Sequence, residues 1–515
     1  MTAALPRVTY SNIGVDFSPV HDHIDAKLAA FEAKLGKDWP ADFASGAVFE
    51  PVSPIDGRTV LGRFRQSTAA DISAAVDAAA NAYSLWSRTS AEERSAFAGR
   101  WQKALDEAKY DIALAALYEI GKSRIEAIGE AEEAVDIVEY YGSELQRHAG
   151  YGQSMRELIQ NESAKSVLRP LGVFGVIAPF NFPVALSVNM IAGAILAGNS
   201  VVYKPSPDCA LTGHLILQTL KAAGAPEGLV NIVQGGRDVG EALVASPKLA
   251  GIAFTGSHAV GMEIFRKLAA GRHAKPVVAD MGGKNPAYIS AKADLAKAAE
   301  GVARSAFGLQ GQKCSACSAV YVQASVHDSF VEQLRAFASK LKVGDPRKRD
   351  TFMGPVYNDA AARRLEDAIE EARRDGEVLF GGNRLQGVEG NYFEPTVVQL
   401  PAGHRLLQDE LFAPFVAIVT VDSLEEGIRL GNAVNYGLAA GIYSADENEV
   451  SYFLDNAEAG VLYANRASGA TTGAWPGSQP FCGWKGSGVS AKGGLGPHYL
   501  PQFMREQSHT LMQSK

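Results

Sequence analysis

Three side chains in this sequence have the type and setting to do covalent chemistry on a carbonyl carbon. Cys314 lies in Gly311-Gln312-Lys313-Cys314-Ser315-Ala316-Cys317, among glycine and small residues, in a loop after a helical pattern. That setting leaves room for a substrate to approach. A thiol must ionise to attack, and its ordinary pKa of about 8.5 makes neighbouring dipoles or bases important. The duller alternative is a pair of small buried hydrophobes, the usual role of free cysteine. The C-x-x-C spacing of Cys314 and Cys317 also fits zinc or redox chemistry, but no second ligand pair follows. No metal is therefore expected.

Asn181, in Pro179-Phe180-Asn181-Phe182-Pro183, follows the end of an apolar strand pattern. Its amide could donate to the oxyanion of a tetrahedral intermediate, an interaction worth roughly 10²–10³ in rate. It could equally cap the next helix. Asp280, in Ala279-Asp280-Met281-Gly282-Gly283-Lys284-Asn285-Pro286, ends another apolar run before a double glycine. A carboxylate there could activate water for deacylation, or merely satisfy backbone amides.

Two further segments could hold an anionic ligand. In Phe254-Thr255-Gly256-Ser257-His258-Ala259-Val260-Gly261, two glycines stand between a strand and a helix. Helix amides can face an anion there, although this is not the G-x-G-x-x-G dinucleotide fingerprint. In Val201-Val202-Tyr203-Lys204-Pro205-Ser206-Pro207, a lysine directly after a strand can reach a ribose hydroxyl or a phosphate. Alone, a close-packed turn and a surface lysine explain these segments as well.

The elements that must position these residues form two alternations. Residues 1 to about 60 look like an irregular lead-in. Helical patterns follow at Ala69–Trp86, from the capping box Ser90-Ala91-Glu92-Glu93 through Leu105, and from about Tyr110 to Gln146. Strand patterns Val173–Ile177, Ser200–Tyr203, Val230–Val233, Ile252–Phe254 and Val277–Ala279 then alternate with helical stretches. After Lys284 a second series begins, with Ala287–Ile289, Val320–Val322, Phe415–Val421 and Gly441–Tyr443. Continuous apolar strands between helices imply parallel sheets covered on both faces.

The whole chain sets bounds. At 515 residues it is too long for one core and should form two or three lobes. A formal net charge of −8 argues against a nucleic-acid surface. The basic run Arg347-Lys348-Arg349 reads as a solvated turn. The four cysteines, Cys209, Cys314, Cys317 and Cys482, are too few for a disulfide scaffold. The N-terminus lacks a signal-peptide pattern and the longest apolar stretch, Ile191–Leu196, is too short to span a bilayer. A soluble, cytoplasmic protein without membrane or nucleic-acid partners is expected.

Taken in order, Pro179–Pro183, Lys204–Ser206, Phe254–Gly261, Asp280–Pro286, Gly311–Cys314 and Gln408–Pro414 resemble the aldehyde dehydrogenase superfamily, from about Ser53 to Thr510. The resemblance implies an α/β fold with a Rossmann-like cofactor domain (1–152 plus 172–282) and an α/β catalytic domain (283–486). It also implies a small β oligomerisation arm (153–171 plus 487–515), giving a homodimer or homotetramer. It makes Cys314 the nucleophile, with Asn181 and the Cys314 amide as oxyanion donors. Lys204 and Glu410 fall at ribose-binding positions, Ser257 at a pyrophosphate contact between Gly256 and Gly261, and Phe412 at the nicotinamide, with Phe180 a further cofactor-binding position. The implied cofactor is NAD, with NADP admitted.

The segment Phe307–Ser318 looks most like the glutamate-semialdehyde (1-pyrroline-5-carboxylate) dehydrogenase branch. Ser315, Gly473 and Ala474 then match substrate-binding positions, the last two holding the substrate carboxylate by backbone amides. The implied reaction is oxidation of an aldehyde to a carboxylate through a thioester on Cys314. The chain departs from the family pattern at five places, one of them Cys482, which replaces a more usual glycine and reads as packing. Asp280 replaces the usual glutamate base and is one methylene shorter. Lys492 stands where some members carry a second glutamate. Pro207 replaces a glutamate common in NAD-preferring members, which reduces repulsion against a 2′-phosphate. The segment Asn465–Thr472 is about three residues longer than usual, near Trp475. These departures keep three alternatives open: a dehydrogenase of bulky or aromatic aldehydes, a CoA-acylating enzyme, and a catalytically silent dinucleotide-binding protein.

Overall fold

The computed structural model describes residues 5–9, 12, 15–468 and 475–512. The lead-in is partly helical: α1 spans Ser18–Glu32 and buries Val20, Ile24 and Phe31. Its start at Ser18-Pro19 is the helix-opening pattern of a proline in the first turn. The short strands β1 (Val48–Phe49) and β2 (Phe64–Arg65) pair antiparallel. Helix α2 (Ala69–Trp86) opens on a Thr68–Asp71 capping box and buries Ile72, Ala75, Val76 and Ala79 on one face.

Helix α3 runs unbroken from Ala91 to Ile120, where sequence patterning suggested a break after Leu105. Asp106 and Glu107 are exposed, yet residues 106–109 include no glycine or proline to end a helix. The stop comes at Gly121, whose φ of 76° is a left-handed cap. Helix α4 (Arg124–Arg147) follows, then β3 (Gly152–Ser154) and β4 (Glu162–Pro170).

The first main sheet holds β5 (Val173–Ile177), β6 (Ser200–Lys204), β7 (Val230–Ile232), β8 (Leu249–Gly256) and β9 (Val277–Met281). Their order is β7-β6-β5-β8-β9, all parallel. The chain works outward from β5 to one side and then returns to build the other. The strand order therefore reverses at β5, and a crevice opens at the carboxyl ends beside it. Helices α5 (Ala185–Leu196) and α6 (Ala210–Ala222) cover one face. Helices α2, α7 (Arg237–Ala245) and α8 (His258–Ala269) cover the other. The core under α5 also contains Leu495, Tyr499, Leu500 and Phe503 from the far end of the chain. Gly193 on α5 lets the rings of Tyr499 and Phe503 lie directly against its backbone.

The second sheet contains β10 (Asn285–Ile289), β11 (Cys317–Gln323), β12 (Glu377–Phe380), β13 (Thr396–Gln399), β14 (Phe415–Val421), β16 (Ala439–Tyr443) and β17 (Val461–Ala464). Its order is β12-β13-β14-β11-β10-β16-β17, parallel except for the β12–β13 edge pair. Helices α9 (Leu295–Phe307) and α10 (His327–Ala338) pack on one side. Helices α11 (Asp359–Asp375), α12 (Leu424–Asn432) and α13 (Glu447–Asn456) lie on the other. A small pair joins β15 (Tyr436–Gly437) to β18 (Trp484–Lys485). The last strand, β19 (Met504–Met512), pairs antiparallel with β4 along its whole length, and β3 completes that sheet.

The Arg347–Arg349 turn is less solvated than its composition suggests. Arg349 pairs with Asp22 and Asp25 of α1, and the Arg347 carbonyl accepts from Arg124.

Candidate active site

Cys314 emerges from an unusual reversal of the chain. After α9, Leu309, Gln310 and Gly311 are all left-handed, with φ of 48°, 55° and 66°. Glycine is required at the third position, because a Cβ there would strike the Ala413 carbonyl. For the two non-glycine residues the conformation costs about 1–3 kcal/mol each and persists only where the surroundings impose it. They do so here. Gln310 Nε2 donates to Gly121 O at 3.0 Å, the Leu309 amide donates to Glu126 at 3.1 Å, and Lys313 pairs with Glu126 at 2.8 Å. On the other flank, Asn285 Nδ2 donates to the carbonyls of Cys314 (2.7 Å) and Ala316 (2.9 Å).

The backbone amides of Ser315 and Cys314 favour the thiolate of Cys314. Burial, then the nearby carboxylates Glu410 and Asp280, push the thiol up to about 12. Asp280 itself is pushed up to about 7 by burial. A carboxyl poised there can exchange a proton with water near neutrality.

Asn181 does not cap α5. Its Nδ2 donates to the Gln312 carbonyl at 2.9 Å, two residues before Cys314. The α5 N-terminus is capped instead by Glu130, whose Oε1 accepts from Val184 (2.8 Å) and Ala185 (3.0 Å). Glu130 also pairs with fully buried Lys122, whose ammonium lies 3.8 Å from the centre of the Phe182 ring.

Cys314, Ser315 and Asp280 line one cavity of about 70 Å³ with Glu133, Phe182 and Phe481. Its wall is mostly apolar, so the Glu133 carboxylate stands out. The same face of α4 carries Asp136, which accepts the Trp475 indole N–H at 2.8 Å, and Tyr140, which packs on Gly477. Gly473 and Ala474 lie outside the described residues.

A second cavity, of about 330 Å³, opens at the carboxyl ends of β5 and β6 and is lined by Lys204, Ser206, Pro207, Arg237 and Val260. Lys204 is buried and lowered to about 8, with Asp238 and Asp208 partly offsetting the desolvation. Ser257 is exposed at the N-cap of α8 and makes no capping bond, leaving its hydroxyl open. Gly256 and Gly261 are not left-handed. A Cβ on Gly256 would meet the Phe254 ring and one on Gly261 would meet Met281. These glycines therefore allow close helix–strand packing.

Phe412, two residues after Glu410, lies against Phe180. Glu410 accepts the Gly283 amide at 2.9 Å, sits against Gly282, and is raised to about 7 by burial. Phe412 is left-handed at φ 57° and meets Phe180 edge-on at 5.9 Å. Phe180 stacks on Tyr357 at 3.7 Å. Sequence reasoning did not single out Glu133, Glu130, Lys122, Asn285 or Tyr357 for a role. Asn285 at least lay within a recognised motif; the glutamates carried only helical periodicity.

A loop thiol beside a strand-end carboxyl, next to a crevice at the sheet's switch point, defines an aldehyde dehydrogenase framework. The aldehyde dehydrogenase family profile matches residues 42–508, and the chain belongs to that family. Among its relatives is the 1-pyrroline-5-carboxylate dehydrogenase of Staphylococcus epidermidis, 32% identical over 507 residues, covering 96% of this chain and 97% of the relative. That of Oceanobacillus iheyensis is 34% identical over 496 residues, with 94% of each chain covered. The structure of 1-pyrroline-5-carboxylate dehydrogenase from Thermus with bound NAD superposes with a TM-score of 0.93 at 30% identity, covering all of both chains. Among the described residues, no helix is long and apolar enough to cross a membrane.

Proposed function

We propose that this enzyme oxidises L-glutamate 5-semialdehyde to glutamate with NAD(P). The observation that carries the proposal is a mostly apolar cavity that brings Glu133 together with Cys314, Ser315 and Asp280. A carboxylate on that wall would attract the α-ammonium of this substrate. The amides of Gly473 and Ala474 would take its α-carboxylate, and Ser315 lies beside the aldehyde. The names of the relatives support the same substrate.

The second cavity fits a dinucleotide. It offers a buried cation, Lys204, at strand ends and adjoins the open N-terminus of α8. Lys204 and Glu410 would hold ribose hydroxyls, Ser257 between Gly256 and Gly261 the pyrophosphate, and Phe412 with Phe180 the nicotinamide ring. Bound there, nicotinamide supplies the acceptor for the aldehyde hydride. Pro207 places neither charge nor N–H in that cavity, so NADP is admitted beside NAD.

The chain's own residues divide the remaining work. Cys314 gives up its thiol proton to the Asp280 carboxylate, which passes it to solvent, and Sγ adds to the aldehyde carbon. The Cys314 amide and Asn181 Nδ2 stabilise the oxyanion. Once the hydride has left, Cys314 carries a thioester. Asp280 takes a proton from the water that attacks it, and the Cys314 thiolate departs. We further propose the division into a cofactor domain, a catalytic domain and an arm that makes a homo-oligomer. The separate five-, seven- and three-stranded sheets support it, as do the exposed Leu511 and Met512 on edge strand β19 and the exposed Leu158 and Ile159 beside β4.

The test is kcat/KM for cofactor reduction with glutamate semialdehyde, an unsubstituted aliphatic aldehyde and benzaldehyde. A preference of roughly tenfold or more for glutamate semialdehyde is expected. A preference for benzaldehyde would overturn the substrate assignment.

A further inference from the structure

We propose that Tyr357 is a positioning residue for this reaction, holding Phe180 and Asn181 in register with the loop that carries Cys314. Tyr357 touches both sides of that juxtaposition. Its ring lies flat on Phe180, with centroids 3.7 Å apart and planes inclined by 18°. Its backbone N–H donates to Gln312 Oε1 at 3.0 Å. Gln312 is fully buried, and its own carbonyl receives Asn181 Nδ2 at 2.9 Å. The residue before Asn181 and the residue two before Cys314 are therefore both referenced to Tyr357.

Other contacts on Phe180 do not fix its ring in the same way. The Cys209 thiol donates to the Phe180 carbonyl at 3.4 Å, and Phe412 approaches only edge-on. Tyr357 is itself half-buried and borders a small cluster around Ile120, Cys209 and Leu309. Its ring is thus placed to orient a neighbour more than to fill a core. The backbone bond to Gln312 survives any side-chain change other than proline, so the contribution of the ring can be tested separately. A displacement of about 1 Å at a reacting group can cost roughly 100-fold in rate.

The proposal rests on Asn181 as the oxyanion donor, and the experiment separates the two claims. The rate of the first-turnover burst of reduced nicotinamide reports acylation of Cys314. Alkylation of Cys314 by iodoacetamide reports the integrity of the loop without needing an oxyanion donor. Tyr357→Leu should slow the burst about 10- to 100-fold, with alkylation unchanged, and Tyr357→Phe should restore the burst. In an Asn181→Ala background, Tyr357→Leu should add little further loss, as coupled neighbours do. Should the leucine variant fail to accumulate, Tyr357→Met makes the same comparison. A normal burst in the open-chain variant, equal loss in Tyr357→Phe, or full additivity with Asn181→Ala would overturn the proposal. A normal burst in Asn181→Ala alone would instead remove the oxyanion assignment, and the proposal with it.

Discussion

The side-chain amide of Asn181 donates to the carbonyl of Gln312 at 2.9 Å, so the loop after β5 and the loop before Cys314 are joined across the lobe boundary. In the proposed reaction the amide's second N–H would donate to the oxyanion. Asn181→Ala should therefore lower the acylation rate by about 10²–10³ while leaving cofactor affinity unchanged. Stopped-flow measurement of the first turnover checks this, and an unaltered rate would exclude the amide as a donor.

Asp280 links rate and stability to pH in opposite senses. Its carboxyl is raised from about 4 to about 7 by burial. Below pH 7 it is protonated and cannot accept a proton, so deacylation should fall about tenfold per pH unit on the acid side. Between pH 4 and 7 the folded chain holds a proton that the unfolded chain releases, so this group's contribution to stability declines as pH rises through that window. Asp280→Asn should then accumulate the thioester after one turnover, yet melt at a higher temperature than the parent at pH 8. Mass spectrometry and a thermal melt read the two effects.

Glu133 should matter in proportion to the charge on the substrate. Glu133→Gln is expected to raise KM for glutamate semialdehyde by roughly tenfold or more. KM for an aldehyde of the same length without the ammonium should barely move. Equal effects on both substrates would mean that the carboxylate supports the fold and does not read the ligand.

Cofactor recognition should titrate with Lys204, whose ammonium is lowered to about 8 by burial. The cation is present below that pH and lost above it, so KM for NAD should rise on the alkaline side. In Lys204→Met it should be high and nearly independent of pH. Pro207→Glu should leave NAD in use and weaken NADP by roughly tenfold through like-charge repulsion. Cofactor titrations at pH 7 and 9 test both.

The Lys122–Glu130 pair carries a stability expectation. Removing one member leaves a buried charge unpaired, at a cost of about 3–5 kcal/mol. Lys122→Met should lower the urea midpoint, and Lys122→Met with Glu130→Gln should recover much of it. The glutamine oxygen can still accept the Val184 and Ala185 amides that Glu130 serves.

Cys314, Asn181, Asp280 and Lys204 are legible in sequence for a shared reason. Each is a chemically distinctive residue close to an apolar strand or a glycine-bounded loop, and such boundaries survive in a linear pattern. Glu133 is not legible, because α4 is a helix surrounded by protein whose buried face includes Glu130, Glu132 and Glu133. Periodicity assigns those residues to solvent, and only the packing reverses that. Helix α1 escaped for the opposite reason. Its three buried side chains are diluted among His, Asp and Lys, giving too weak a stripe to separate from a loop. Tyr357 lies in an irregular segment, where no period relates one residue to another and only the fold brings its ring to Phe180.

The burial of Leu495, Tyr499, Leu500 and Phe503 beneath α5 bears on how the chain is made. A polypeptide leaving the ribosome presents α5 and β5 long before these residues exist. The hydrophobic floor of that lobe stays open until residues 495–503 have been translated. Closure across such a sequence separation is slow for entropic reasons, and the waiting surface is apolar. Premature termination near residue 490 would therefore release a chain with a wet, adhesive first lobe, one whose fate belongs to chaperones and proteases.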